Sequence, residues 1–260
     1  MRMNSSNQPQ VQPLDVSLSS LLHNNLIDLF RRRPAQTDTP RDFPGEIDEK
    51  ISARDPDVEK QHAFFNTLAS CNLNIVLNTA ALVESSMESI LIAPFGKLSE
   101  GGTTSTELAK SILKEELVRL SSLAQYFEYY NKIFGTRAKD LLTPNELASL
   151  QILFDIRNMI IHGSAMRGSV VIEEYRGYMK VEDPFFLRLL DETKKLMGLD
   201  KRLYFLPFDF FQWNNLIDRL VCLCGTSIEK FSLGAQSRFP DVQFEVIGVR
   251  ASDFNISAET

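Results

Sequence analysis

The sequence predicts a mainly α-helical fold, a bundle of long antiparallel helices with one small β-hairpin or irregular excursion, and three observations support this.

 

Long stretches run without proline or glycine and carry apolar residues at helical spacing. Two helix starts are written in capping chemistry, and a single segment, "SVVIEEYRGYMKV", is β-branched enough to read as strands. With 260 residues, 43% of them hydrophobic and 24% charged, the chain can bury a sizeable core. The expected organisation is a flexible N-terminal arm over residues 1 to 55, a helical domain over 56 to 233 and a C-terminal tail over 234 to 260.

Taken in order, residues 1 to 14 are rich in Asn, Gln and Pro, and "PAQTDTPRDFPGEIDEKISARDPDV" mixes Pro with dense charge, so neither buries much apolar surface. Between them Leu18, Leu22, Leu26 and Leu29 recur at helical spacing ahead of Arg31, Arg32 and Arg33. That short amphipathic helix either docks on its own domain or a sister subunit, or meets a membrane surface or partner. From Asp55 to about Ile92 no further Gly occurs and Pro56 suits a first turn, which predicts one long helix broken by "PFGKLSEGGTTST". Thr104 and Glu107 can box the start of a second helix that runs to Gly135. In "TPNE", Thr143 caps, Pro144 takes the first turn and Glu146 reaches back, starting a third helix that ends at Gly163. "PFFLRLLDETKKLMG" and "PFDFFQWNNLIDRLVCLCGTSIEKFSLG" supply two more, and "VQFEVIGV" is the strand-like element of the tail.

A net charge of -6 argues against a broad basic surface, so any nucleic-acid contact must be local. The cysteines, Cys71, Cys222 and Cys224, fit neither a disulfide framework nor a zinc site. No cofactor loop or metal motif stands out. The N-terminus lacks an apolar signal core and no run approaches the roughly 20 apolar residues of a membrane span, which makes the cytosol the expected compartment.

The third helix carries the chemistry. In "FDIRNMIIHG" two polar residues that prefer water, Arg157 and His162, stand in an apolar run. With Asp155 at zero on a wheel of about 100° per residue, Gln151 falls at about 320°, Asn158 at about 300° and His162 at about 340°. They form a narrow polar stripe with apolar flanks on both sides, which belongs in a cleft or at a subunit contact. Arg157 falls at about 200°, roughly 140° from His162. One consequence is purely structural: Arg157 pairs with Glu84 or Glu88 of the first long helix while His162 serves the last carbonyls of its own.

The run Arg157, Asn158, three residues and His162, near the end of the third long helix and after a helix carrying "ALVESSMESI", resembles the signature of the HEPN superfamily of small helical domains. The resemblance covers roughly residues 60 to 232. It implies a metal-independent endoribonuclease without cofactors, with Arg157, His162 and Asn158 as catalytic residues; the residues themselves offer Asp155 to orient His162 and Glu84 or Glu88 to partner Arg157 in support. It further implies a homodimer that brings the Arg157 to His162 helix of each subunit together, RNA and not DNA as substrate, and a toxin or antiviral defence role with an antitoxin or regulatory protein as partner. HEPN domains also serve as non-catalytic modules that bind a nucleotide or a partner, and the same stripe would suit that use.

Overall fold

The computed structural model describes residues 18–34, 56–99, 104–117, 119–120, 122–162, 168–173, 176–181, 184–198, 210–244 and 251–254. Its elements are α1 (Leu18–Arg32), α2 (Pro56–Ser99), α3 (Thr104–Leu117), α4 (Leu123–Phe134), a 3-10 turn at Ala138–Leu141, α5 (Pro144–Ile161), β1 (Gly168–Glu173), β2 (Arg176–Val181), α6 (Pro184–Met197), α7 (Phe210–Arg238) and a 3-10 turn at Ala251–Phe254. The fold is mainly helical. The two strands pair antiparallel from Gly168 with Val181 to Glu173 with Arg176, so the β-branched excursion is a hairpin.

The 44-residue α2 is the spine, packed against α1, α3, α5 and α7, while α5 lies between α7 and α6. Ile75, Val83, Met87 and Leu91 of α2 meet Leu150, Leu153 and Ile156 of α5 and Leu220, Ile228 and Phe231 of α7 in one continuous buried core. The helix was expected to stop near Ile92, yet it continues through Pro94 to Ser99. Proline removes one hydrogen bond, the one its own N–H would make to the preceding turn, and the rest of the ladder can carry on. Against the expectation that no run is long and apolar enough for a membrane span, Asn66–Gly96 is so by length and composition, and 56% of its apolar window is buried inside the fold.

The second predicted helix is two. It stops at Leu117, and α4 begins afresh after Ser122, whose hydroxyl accepts from the Gln125 backbone while the Gln125 side chain accepts from the Ser122 N–H. Ser followed three residues later by Gln is a capping box, a local start signal inside what periodicity alone joins into one helix. Gly135 ends α4 at φ 69°, in the left-handed region glycine enters freely.

The expected start of α5 is met in full: Thr143 and Glu146 form the reciprocal box and Pro144 sits in the first turn. Glu146 is buried, and its Oε2 accepts from the Thr143 N–H and from Lys230 Nζ of α7, each at 2.7 Å. Burial alone would raise its carboxyl, but these hydrogen bonds and the Lys230 charge hold it below the ordinary value.

Helix α1 docks on α2 as part of the bundle, the first of the two uses expected of the amphipathic helix. Leu26 is buried, Ser19 and Ser85 hydroxyls meet at 2.9 Å, Asn25 donates to Asn78 at 2.7 Å, and Arg33 pairs with Asp218 of α7 at 2.7 Å. Toward the C-terminus α7 runs past Gly234 to Arg238, and Phe254 is buried with its ring 4.7 Å from Phe30 of α1. Of the strand-like "VQFEVIGV", Val242, Gln243 and Phe244 are not in a strand and the rest lies outside the described residues.

Helix α7 passes tightly over α4 at Gly234, where an added Cβ would stand 2.6 Å from Tyr130 Oη and 2.7 Å from Leu141 Cδ1. Tyr130 is buried and donates to the Phe231 carbonyl at 2.7 Å, so it cannot simply swing away. Gly234→Ala is therefore expected to destabilise the fold by about 1–3 kcal/mol, read from the urea midpoint at constant m. Lys230→Met should cost about 1 kcal/mol at neutral pH. Because the Glu146 carboxyl titrates lower in the folded than the unfolded chain, its contribution is present above the ordinary value of 4.5 and fades as pH falls through the folded value, so the gap between Lys230→Met and wild type should close in acid.

Candidate functional site

Arg157 leaves α5 on the side that faces α2. Its Nη2 lies 3.2 Å from Glu84 Oε1 and 3.4 Å from Glu84 Oε2, and its Nη1 donates to Asn158 Oδ1 at 2.9 Å. The Arg157 and Glu84 side chains are 22% and 18% exposed, so the pair is largely shielded from water but reachable. One turn further along α2, Glu88 accepts from the Tyr126 hydroxyl of α4 at 3.1 Å. Burial raises the Glu84 carboxyl; the Arg157 guanidinium opposes this and the neighbouring Glu88 adds to it. The Tyr126 phenol is also raised, first by burial and then by the two carboxylates beside it. The result is a polar cluster spanning α2, α4 and α5, in which Arg157 pairs with Glu84 and Glu88 takes the Tyr126 hydroxyl.

His162 is the residue after the last turn of α5, exposed, with φ -83° and ψ 0°. Its backbone N–H bonds to the Asn158 carbonyl at 3.0 Å. Among the described residues its imidazole makes no hydrogen bond or ion pair with Arg157, Asn158, Asp155, Glu84 or Glu88. The offset on the wheel is thus real: Arg157 turns toward α2 while His162 stands at the open helix end. Asn158 was a candidate to orient the imidazole, and its Oδ1 instead accepts from Arg157.

The remaining stripe residues face a different way. Gln151, Asp155 and Asn158 line a cleft of about 300 Å³, closed by Ser122, Leu123, Ala124 and Phe127 at the start of α4, Lys139 of the 3-10 turn, Phe154, and Arg188 and Glu192 of α6. Asp155 Oδ2 accepts from Arg188 Nη2 at 3.2 Å, and burial raises the Asp155 carboxyl against that cation's pull. Asp155 therefore belongs with α6 and not with His162. Asn158 is the one stripe residue that touches both the cleft and the Arg157 cluster.

Tyr126, Lys139, Arg188 and Glu192 were not singled out from the sequence. Tyr126 and Lys139 carry no local signal, and Arg188 with Glu192 reads only as an i,i+4 helix pair. Among the described residues no group of three His, Cys, Asp or Glu is placed to hold a metal ion. Compared with protein families, with curated proteins and with solved structures, the chain matches none.

The Glu84 and Arg157 pair is intermediate between an exposed and a buried ion pair, which sets its expected strength. A double-mutant cycle with Glu84→Gln and Arg157→Met should give a coupling of about 1 kcal/mol in urea unfolding, above a surface pair and below a fully buried one. A coupling indistinguishable from zero would mean that Glu84 does not hold Arg157.

Proposed function

We propose that the chain is a metal-independent endoribonuclease of HEPN type, working as a homodimer in the cytosol. The observation that carries this reading is the end of α5: an exposed histidine without a side-chain partner among the described residues, five residues after an arginine held in place by Glu84 and Asn158. A guanidinium has five N–H donors, so one tied to Glu84 and Asn158 keeps donors for a phosphate. The pairing fixes its position at the cost of part of its charge.

Without a metal the nucleophile comes from the substrate. The RNA 2′-oxygen attacks the adjacent phosphorus as one imidazole accepts its proton, and the bond from phosphorus to the 5′-oxygen breaks as a second imidazolium protonates that oxygen. The products are a 2′,3′-cyclic phosphate and a 5′-hydroxyl. One subunit supplies a single His162 and a single Arg157, and a two-fold dimer across α5 supplies the second of each. Partly exposed Met159 and Ile160 and exposed Ile161 would furnish the apolar contact around the pair. A toxin or antiviral defence role, and an antitoxin or regulatory partner, follow from the family resemblance alone.

A second reading is favoured by one observation: Arg157 is already satisfied by an intrachain carboxylate. In that case the domain is a non-catalytic module that binds a nucleotide or a partner. Labelled RNA incubated in EDTA separates the two. Cleavage should fall about 10²–10⁴-fold in His162→Ala and Arg157→Ala, and DNA of the same sequence should stay intact. Cleavage that survives both substitutions, or that requires Mg²⁺, sinks the nuclease, and a folded dimer inert on every RNA selects the module.

A further inference from the structure

The cleft beside the Arg157 cluster has a composition that selects a ligand. Its floor is apolar, made of the buried side chains of Leu123, Phe127 and Phe154. Its edge is polar and comes from three elements: Gln151, Asp155 and Asn158 at i, i+4 and i+7 on α5, Lys139 on the 3-10 turn, and Arg188 and Glu192 on α6. The cations and carboxylates are equal in number there, so the cleft does not favour a polyanion. About 300 Å³ sits at the small end of ligand pockets, room for a single ring system with its sugar and no more.

Hydrogen-bonding capacity on that edge is left open. Asp155 engages Arg188 through Oδ2, and among the described residues its Oδ1 makes no hydrogen bond or ion pair. Gln151 is exposed, as is Lys139, and neither side chain has a hydrogen-bond or ion-pair partner among the described residues. A planar ring laid on the apolar floor would meet a carboxylate that accepts, amides that do both, and an ammonium that donates. That is the pattern by which side chains read base edges, carboxylates taking ring or amino N–H groups and amides or lysine serving the acceptors.

From this the geometry points to a nucleobase subsite of the proposed nuclease, selective for guanine. Guanine presents two adjacent N–H donors beside a carbonyl, matching the Asp155 carboxylate next to the amides of Gln151 and Asn158 or the Lys139 ammonium. Asn158 links the subsite to Arg157, so a base held in the cleft would place its neighbouring phosphate toward the cluster. The choice of a nucleobase as ligand rests on the nuclease reading, but the subsite can be tested without cleavage.

Saturation-transfer NMR on the full chain with guanosine, adenosine, cytidine and uridine provides the test. Guanosine should give the strongest signal, weakened about tenfold or more in Ala124→Trp, which fills the cleft from an exposed rim position, and in Gln151→Ala. His162→Ala should bind guanosine as wild type does. No signal from any nucleoside, equal signals from all four, or wild-type binding in a folded Ala124→Trp would overturn the subsite. Guanosine binding in a chain that cleaves no RNA would leave the subsite standing and remove the nuclease, whereas cleavage without nucleoside binding would do the reverse.

Discussion

Arginine keeps its charge at any pH a protein meets, and Arg157 sits in a helix whose neighbours are Ile156, Met159 and Ile160. That constraint shapes the centre of the molecule. A guanidinium enclosed between helices needs a carboxylate, and Glu84 on α2 supplies it at 3.2 Å. The pair lies where the apolar positions of α2 and α5 meet. Glu88, one turn along α2, extends the polar contact to α4 through the Tyr126 hydroxyl.

The same helix serves two ends by geometry alone. Its first turn is anchored through Glu146, which ties the backbone of Thr143 to Lys230 of α7. Among the described residues its last turn has no such anchor, and Ile161 and His162 are exposed. A helix rigid at one end and open at the other can present a side chain in a fixed direction without burying it. This arrangement suits contact with something outside the chain, whether a second copy or a ligand.

Much of this was legible from local chemistry. The capping box and Pro144 of α5, the left-handed stop at Gly135 and the β-branched hairpin all depend on residues a few positions apart. The wheel also gave the common face of Gln151, Asp155 and Asn158 and the divergence of Arg157 from His162. What it missed was the break before α4, because a helical period across residues 104 to 135 outweighed the Ser122 and Gln125 box. Continuation of α2 past Pro94 is hidden for the opposite reason: proline is a strong local breaker, and only packing holds the helix through it.

Sequence by itself determined which side chains are charged, which helices start where, and which residues of α5 share a face, since each follows from covalent geometry and short-range hydrogen bonding. Tertiary structure alone decided the partners. Arg157 had two glutamates within reach on paper, four apart on one helix face, and only the packing of α2 against α5 chose Glu84. Asp155 found Arg188, 33 positions away, and α1 found Asp218 and Phe254 across the whole chain. Charge complementarity is nonspecific at the level of residue type, so long-range pairing is set by where the buried apolar surfaces bring the backbone.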